Sequence, residues 1–347
     1  MSTGSEAPPF WWEKPDWRAW ALAPFSLAYG AVASWRMRKA PRQEVMAPVL
    51  CVGNLTVGGE GKTPVCIALA HEAKRQNLKP GFLSRGFGGS FSAPHFVDLE
   101  HDTARHVGDE PLLLARHAPV VVTPDRLAGA MRLLQEGCNF IIMDDGFQSA
   151  RIHMDYALIV VDARRGLGNG HVIPGGPMRA PLVEQLRFAT AILTIGEGDG
   201  AARVVRRASR AGRPVAAAHI RPLEGHDLVG RRVAAFAGIG NPQKFYRTLE
   251  ELGAEVVATR DFPDHHAFSH EDFADLEELA GEHGAELVTT EKDMVRLTSG
   301  TADAREFAAK LRVLPVEARF ETNETPAAII RETMNAARQR KLKQRGS

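Results

Sequence analysis

The chain has 347 residues, of which 44% are hydrophobic and 24% charged, enough for one large or two medium hydrophobic cores. Its 43 basic and 42 acidic side chains nearly cancel, which excludes a chain-wide basic field for nucleic acid, and we expect no nucleic-acid partner. Cys51, Cys66 and Cys138 lie in apolar stretches without a Cys-x-x-Cys pair. We expect them to be reduced packing residues rather than disulfides or zinc ligands.

The first predicted element is an apolar, tryptophan-rich segment, since all five tryptophans precede residue 36. An uncharged stretch at 19–35, interrupted by Pro24, is followed by a basic cluster of Arg36, Arg38, Lys39 and Arg42. Aromatic rings settle among lipid headgroups and cations meet anionic lipid. Because 17 residues is at the low limit for crossing a bilayer, we predict a membrane-associated interfacial helix within 1–42. The alternative is a helix packed on the protein's own core. Ala31-Val32-Ala33 resembles a signal-peptide cleavage site, but the acidic leader and the basic run after it argue against secretion.

From residue 49 onward, short apolar runs alternate with helix-length segments. The runs predicted as strands cover residues 49–52, 81–84, 120–123, 140–143, 157–161 and 191–195. Continuous apolar runs are typical of parallel strands buried on both faces. We therefore predict an α/β domain over 43–222, with helices on both faces of a mostly parallel sheet. One of these helices covers 65–76, with Pro64 in its first turn.

A second, smaller α/β unit is predicted over 223–320, after a boundary rich in proline and glycine at 221–230. Its expected strands cover 233–237, 255–258 and 286–290, and its expected helices cover 242–252 and 271–283. Residues 313–320 are predicted to be extended. The remainder, 321–347, contains a predicted basic helix at 325–343.

A phosphate-binding loop is the most informative motif of the chain. The string Gly53-Asn54-Leu55-Thr56-Val57-Gly58-Gly59-Glu60-Gly61-Lys62-Thr63 follows the strand at 49–52 and precedes a helix. In that context backbone N–H groups can surround phosphates, while the lysine adds a cation and the following hydroxyl can hold Mg²⁺. The strict pattern requires glycine at position 56, but strand, loop, Lys-Thr pair and helix all occur together. The predicted nucleotide-binding residues are Thr56, Val57, Gly58, Gly59, Glu60, Gly61, Lys62 and Thr63.

An acidic pair completes the predicted nucleotide site. The apolar strand at 140–143 is followed by Asp144-Asp145-Gly146, at the sheet edge where ligands bind in open α/β folds. Either carboxylate could hold Mg²⁺ together with Thr63, and the other could be a turn cap. Guanine-specific P-loop proteins carry an Asn-Lys-x-Asp motif, and Thr290-Glu291-Lys292-Asp293 lacks its spacer residue. We therefore predict ATP as the nucleotide.

Several residues are candidates for the acceptor side, each with a simpler structural alternative. Asp109 could take a proton from an acceptor hydroxyl or could only cap a helix at 112–116. Arg85 and Arg126 follow strands and could bind a phosphate or lie in surface turns. His265, in Asp264-His265-His266, could orient a catalytic base or lie in a solvated loop. A metal site is not expected there, because no further ligand residues occur at a suitable spacing. The string at 238–242 follows a strand, but Gln243 stands where a dinucleotide fingerprint requires glycine, so NAD is discounted.

Taken in order, these motifs resemble the tetraacyldisaccharide 4′-kinase family of lipid A biosynthesis over nearly the whole chain. Beyond the tryptophan-rich segment and the phosphate loop, the resemblance is carried by Leu83-Ser84-Arg85-Gly86, Gly108-Asp109-Glu110-Pro111, Asp144-Asp145-Gly146-Phe147-Gln148, Gly166-Leu167-Gly168-Asn169-Gly170, Pro174-Gly175-Gly176-Pro177-Met178-Arg179, Gly238-Ile239-Gly240-Asn241-Pro242 and Phe262-Pro263-Asp264-His265-His266. Phe87 stands where the resemblance leads us to expect tyrosine, and phenylalanine has no hydroxyl to make a contact from that position.

The resemblance implies an ATP- and Mg²⁺-dependent kinase that phosphorylates the 4′-hydroxyl of a lipid-linked glucosamine disaccharide 1-phosphate. It implies action at the cytoplasmic face of a Gram-negative inner membrane. We infer no obligate protein partner. The resemblance further implies that Asp109 is the catalytic base, assisted by His265, with Lys62 on the phosphates. Thr63, Glu110, Asp144 and Asp145 are the expected metal residues, and Arg85, Arg126 and Gln148 the expected substrate residues. A two-stranded linker joins the family's two lobes, so 313–320 is expected to return the chain to the first.

Two other classes compete with this interpretation. A P-loop ATPase switch or metallochaperone would use the same loop to act on a protein partner, without needing the tryptophan-rich leader. A non-catalytic membrane scaffold would tolerate loss of Lys62.

Overall fold

The N-terminal segment forms two short helices against the body of the protein. A computed structural model describes residues 7–58, 61–86, 91, 93–148, 151–224 and 227–345. After a 3₁₀ turn at Pro9–Trp11, α1 covers Trp17–Ala21 and α2 covers Ala23–Lys39. Asp16 caps α1 through the N–H groups of Arg18 and Ala19, and Pro24 lies in the first turn of α2, where its missing N–H costs nothing. Within the described ranges, no helix combines the length and apolar character that crossing a bilayer requires.

The larger sheet confirms the predicted mostly parallel α/β fold. Within the part of the chain that the structure describes, its nine strands lie in the order β13-β8-β7-β6-β1-β5-β2-β4-β3, and only the β13–β8 and β3–β4 pairs are antiparallel. The strand bounds are β1 Val49–Asn54, β2 Pro80–Ser84, β3 His95–Phe96, β4 Val120–Val122, β5 Phe140–Asp144, β6 Tyr156–Asp162, β7 Ala191–Ile195, β8 Val215–Pro222 and β13 Val316–Phe320. Strand β8 was not predicted from the sequence, because it is half-exposed and its apolar run at 215–218 is mostly alanine, which is depleted in strands.

Helices cover both faces of this sheet. Alternate residues of β1 divide between two hydrophobic clusters, with Leu50 on one face and Val49 on the other. The first face is covered by α3 (Lys62–Arg75), α5 (Asp109–Ala115) and α13 (Thr325–Arg345). The second is covered by α2, α6 (Arg126–Gln135), α7 (Leu182–Phe188) and α8 (Ala202–Arg210). The short α4 (Ala104–Val107) immediately precedes α5.

A second, smaller sheet forms the other lobe. Among the described residues it has four parallel strands in the order β10-β9-β11-β12, with bounds β9 Arg232–Ala237, β10 Glu255–Asp261, β11 Glu286–Thr290 and β12 Arg312–Leu314. One face is covered by α9 (Pro242–Glu251), and the other by α10 (His270–His283), α11 (Glu291–Thr298) and α12 (Ala302–Ala308).

Two adjacent strands connect the lobes. The chain leaves the large sheet after β8 and returns through β13, which pairs with β8 in antiparallel register from Val316 opposite Pro222. The predicted range 223–320 therefore contains one strand of the larger sheet. After β13 the chain enters α13, which packs on α3, β1 and β6. Arg340 of α13 forms an ion pair with the buried Asp155, 2.9 Å from Nε to Oδ1.

Candidate active site

The phosphate loop lies where the sequence predicts it, between β1 and the N-terminus of α3. Gly61 has a φ of 80°, a left-handed conformation that glycine adopts without strain, and α3 begins at the next residue, Lys62. Thr63 is buried in the first turn of this helix. The N–H groups and dipole at a helix N-terminus favour a bound anion. Of the predicted loop residues, Gly59 and Glu60 lie outside the described residues.

A later segment of the chain holds this loop in shape. The N–H of Val57 donates to the carbonyl of Pro177 at 2.9 Å, and the N–H of Arg179 donates to Leu55 at 3.0 Å. The side chain of Arg179 also donates from Nε to the carbonyl of Thr56, which is itself fully buried. The Pro174–Arg179 motif, which the sequence analysis used only as part of a resemblance, therefore clamps the front of the phosphate loop.

Asp145 lies within a cluster of cations beside the loop. Its two carboxylate oxygens each accept a 3.0 Å hydrogen bond from Arg179, and the Lys62 ammonium lies 3.6 Å from Oδ2. Burial disfavours its charge, but the charges of Lys62 and Arg179 outweigh burial and lower the pKa of Asp145 to about 2. Asp145 therefore orients Lys62 and Arg179 around the space beside the loop.

Asp144, at the end of β5, lies in different surroundings. It is buried, and among the described residues its one side-chain hydrogen-bond contact is the Cys66 thiol, 3.8 Å away on α3. Among the described residues, no lysine or arginine forms an ion pair with it. Burial is the main reason that its pKa is raised to about 6. A buried carboxylate without an ion-pair partner is costly, and carboxylate and hydroxyl oxygens suit Mg²⁺. Asp144, together with Thr63 one helical turn before Cys66 on α3, therefore fits a magnesium site.

Asp109 lies at the junction of the two lobes. Gly108 precedes it with a φ of 94°, and Gly108, not Asp109, is the N-cap of α5. From the second lobe, His265 Nδ1 lies 3.1 Å from Asp109 Oδ1, and Arg296 Nε donates to Oδ2 at 3.0 Å. A second nitrogen of Arg296 contacts the same oxygen. Two predicted residues far apart in sequence, Asp109 and His265, are thus brought together.

The charges around Asp109 fix its protonation state. Burial opposes its ionisation, but the hydrogen bond from His265 and the charge of Arg296 outweigh burial and hold the pKa of Asp109 well below its usual value. In return, the hydrogen bond to Asp109 raises the pKa of His265. His265 and Asp145 also have positive φ values, 60° and 53°, which are uncommon outside glycine and cluster at functional sites. Asp109 is therefore a fixed, ionised acceptor.

The sequence analysis missed two cations of α11. Lys292 Nζ lies 2.5 Å from Glu110 Oε1, and Arg296 also donates at 2.6 Å to Asp293 and to the carbonyl of Gly238. Thr290 caps α11 by accepting from the Asp293 N–H. Residues 290–293 thus form the N-cap and first turn of α11. The signal that could have identified the pair is the spacing of Lys292 and Arg296, one helical turn apart on one face.

The phosphate loop and the Asp109 region adjoin each other. The charges of Glu110 and Lys292 both act on Asp144, although burial and Lys62 have larger effects. Single ligand atoms of Asp109, Glu110 and His265 lie within 4.8 Å of one another, so the histidine does have neighbouring carboxylates, contrary to the sequence-based expectation. Arg296 and Lys292 already neutralise these two carboxylates.

The three predicted substrate residues differ in their surroundings. Arg85 is exposed just after β2. Arg126 is buried, and its guanidinium donates to the carbonyl of Asp145 at 3.1 Å, while Gln148 donates to the carbonyl of Asn54 and to Gln185. In this conformation Arg126 and Gln148 hold the turns beside the loop, and only Arg85 extends into solvent. Phe87 lies outside the described residues.

Comparison with known proteins gives a consistent family assignment. The family model described as tetraacyldisaccharide-1-P 4′-kinase matches residues 18–335. The chain is 63% identical to a tetraacyldisaccharide 4′-kinase of Chelativorans sp. (98% of this chain and 99% of that one) and 58% identical to one of Mesorhizobium japonicum (98% and 99%). A crystal structure of LpxK from Aquifex aeolicus in complex with ATP matches with a TM-score of 0.71 at 25% identity, covering 91% of this chain and 99% of that one. The chain belongs to the tetraacyldisaccharide 4′-kinase family.

Proposed function

We propose that this chain transfers the γ-phosphate of ATP to the 4′-hydroxyl of tetraacyldisaccharide 1-phosphate, giving the bisphosphorylated lipid A precursor. The observation that carries the proposal is the meeting of two groups of residues at one edge of the large sheet. The first group is the phosphate loop with Lys62 and the buried Asp144. The second is the ionised Asp109, which His265 and Arg296 of the second lobe hold by hydrogen bonds. The family assignment adds the acceptor.

The nucleotide phosphates bind at the loop. The N–H groups before α3 and the ammonium of Lys62 meet the negative charge that spreads over the transferred phosphoryl group. Asp144 and Thr63 would hold Mg²⁺, which when bound would supply positive charge to offset that of the phosphates. Asp145 and Glu110, also expected among the metal residues, are already paired with Arg179 and Lys292, and we assign direct ligation to Asp144.

Asp109 receives the proton of the attacking hydroxyl. A carboxylate offers about four lone-pair sites, so it can accept this hydrogen bond while His265 and Arg296 hold it. A pKa well below the usual value makes Asp109 a weak base. That suffices for a loose phosphoryl-transfer transition state, in which the hydroxyl has to be oriented more than it has to be deprotonated early. Arg85 is the group best exposed to meet an acceptor phosphate.

Replacing Arg296 with methionine tests whether Arg296 positions and ionises Asp109. Loss of its charge raises the pKa of Asp109, so the acidic limb of the kcat/KM–pH profile is expected to move to higher pH. We also expect kcat to fall about tenfold or more, since a small misplacement of a reacting group is costly. The matched control is Arg260→Met, at an exposed arginine of the same lobe. An acidic limb that coincides with that of the parent would contradict this role.

The N-terminal helices support association with a membrane surface. Trp17, Trp20 and Trp35 remain 76%, 63% and 64% exposed, although the other side of α2 packs on the large sheet through Met37. The last turn of α2 is basic, with Arg36, Arg38 and Lys39. Exposed indole rings followed by cations suit an interfacial helix. We assign the protein to the cytoplasmic face of the inner membrane, where ATP and a lipid-linked acceptor can meet.

The function is tested with ATP, Mg²⁺ and tetraacyldisaccharide 1-phosphate, by looking for the bisphosphate product. The parent chain is expected to form this product. We expect Lys62→Ala to lower kcat/KM at least about a hundredfold, because the lysine no longer stabilises the negative charge of the phosphoryl group in the transition state. ATP hydrolysis without phosphorylated lipid would instead favour a P-loop switch acting on a protein partner. Parent-like rate and ATP affinity in Lys62→Ala would remove the phosphate-site assignment itself.

A further inference from the structure

Helix α8 carries a stripe of four arginines that the proposed catalysis does not use. Its inward side consists of Val204 and Ala208, both buried, while Arg203, Arg206, Arg207 and Arg210 are exposed. Arg206 and Arg207 each lie three or four residues from both Arg203 and Arg210, so the four side chains lie on the outward side of the helix. Residues 201–213 contain no aspartate or glutamate. We call these four residues the α8 stripe.

The α8 stripe is not neutralised by the protein. Among the residues that the structure describes, no carboxylate lies within ion-pairing distance of any of the four arginines. Exposed arginines elsewhere do find partners, such as Arg231 with Asp227 and Arg319 with Glu224. Like charges one turn apart on a helix repel each other. This repulsion destabilises α8, and an external anionic surface would reduce it.

The α8 stripe lies on the same side of the molecule as the tryptophan-rich helices. Val204 of α8 and Met37 of α2 belong to one hydrophobic cluster on one face of the large sheet. Arg203 lies against Gly170, where an added Cβ would be 3.1 Å from Nη1. The next residue, His171, makes an edge-on contact with Trp20, with 5.2 Å between ring centroids.

Helix α7 joins the two regions further along this face. Its Glu184 accepts a 2.6 Å hydrogen bond from Arg38 of α2, and its Arg187 carbonyl accepts one from Arg213, three residues beyond α8. Val183 of α7 is 57% exposed. A surface with exposed aromatic and aliphatic groups on one side and unpaired arginines on the other thus spans three helices.

We propose that the α8 stripe binds the anionic headgroups of phospholipids and gives the enzyme a second membrane contact beside the tryptophan-rich helices. The inference rests on the proposed function for its membrane setting. Two separate contacts fix the orientation of the enzyme on the bilayer. A single helix would let the enzyme rotate about that one contact. Each arginine near an anionic surface raises the membrane partition coefficient about fivefold, and salt screens this contribution.

The test compares two charge reversals of equal size in the full-length chain. One is Arg206→Glu with Arg207→Glu and Arg210→Glu. The control is Arg331→Glu with Arg338→Glu and Lys343→Glu on the exposed side of α13, which packs on the opposite face of the sheet. Binding is measured by co-flotation with phosphatidylcholine vesicles, with and without about a third phosphatidylglycerol, at two salt concentrations.

The α8 variant is expected to lose about a hundredfold in partitioning to anionic vesicles, while the control stays within about threefold of the parent. Equal losses in both variants would mean a net-charge effect only, and parent-like binding by the α8 variant would overturn the proposal. The proposal also fails if the parent prefers a short DNA duplex to anionic vesicles and the α8 variant loses that binding.

A kinase assay separates this inference from the proposed function. With acceptor dispersed in detergent, the α8 variant is expected to retain activity within about twofold of the parent, since no anionic bilayer is present. A parent chain that binds anionic vesicles through α8 but phosphorylates no lipid would remove the proposed function and leave the surface assigned. Trp17→Ser with Trp35→Ser separately removes the aromatic contact and is expected to weaken binding to neutral vesicles as well.

Discussion

Replacing Asp109 with asparagine is expected to lower kcat by about three orders of magnitude while ATP affinity stays within a few fold of the parent. Asparagine keeps the shape of the side chain but cannot receive the hydroxyl's proton, and a positioned base contributes about 10²- to 10⁴-fold. ATP affinity should persist because Asp109 contacts His265 and Arg296 rather than the phosphate loop. The measurements are bisphosphate formation and equilibrium titration with a fluorescent ATP analogue.

The controls for Asp109 use the pairing with His265. His265→Ala should lower kcat by a smaller factor, and the double variant should be hardly slower than Asp109→Asn alone, because residues that act as a unit are non-additive. A thermal melt of each variant excludes loss of fold. If Asp109→Asn keeps the parent rate, or if the two losses simply multiply, Asp109 is not the base that His265 holds.

The second large effect is expected at Asp144, where activity and stability should change in opposite directions. Asp144→Asn removes a proposed Mg²⁺ ligand, so we expect kcat to fall about a thousandfold or more and the stabilisation by Mg²⁺ and ATP to shrink. The metal-free protein should nevertheless become more stable at neutral pH. The pKa of this carboxyl is about 6 in the folded protein against 3.8 ordinarily, so the folded state holds a proton that the unfolded state releases between these values.

Stability of the parent falls as pH rises from about 4 to 6, and at neutral pH the buried charge costs about 3 kcal/mol, which asparagine avoids. The gain should fade as pH approaches 4, where the parent carboxyl is protonated. Unfolding in urea at pH 4.5 and 7.5, without metal, measures it. A variant destabilised at pH 7.5 would show that Asp144 is already paired in the folded protein.

The neighbouring aspartate supplies the matched control. Lys62 and Arg179 lower the pKa of Asp145 to about 2 despite burial, so its charge is favoured in the folded state. Asp145→Asn should therefore destabilise the protein at neutral pH, and the loss should disappear as pH falls from about 4 toward 2. Two adjacent carboxyls are thus expected to respond to the same substitution with opposite signs.

Local sequence determined the parts of this site that lie on single elements. The continuous apolar runs predict β1 and β5 because strands buried on both faces need apolar residues at every position. The phosphate loop and Asp144 follow these strands directly, so their meeting at one sheet edge could be inferred from the parallel topology. The N-terminal apolar segment and its basic end could also be predicted from the sequence, because all five tryptophans are concentrated there.

Tertiary structure alone decided which charges meet. Arg179 acts on the phosphate loop from 117 positions beyond Lys62, and Arg296 reaches Asp109 from the other lobe. No periodicity or spacing relates such residues, because the Arg179 contacts depend on packing within the large lobe and the Arg296 contact depends on how β8 and β13 set the second sheet against the first. The protonation states of Asp109 and Asp144 depend on those contacts and on burial, and burial exists only once the chain has folded.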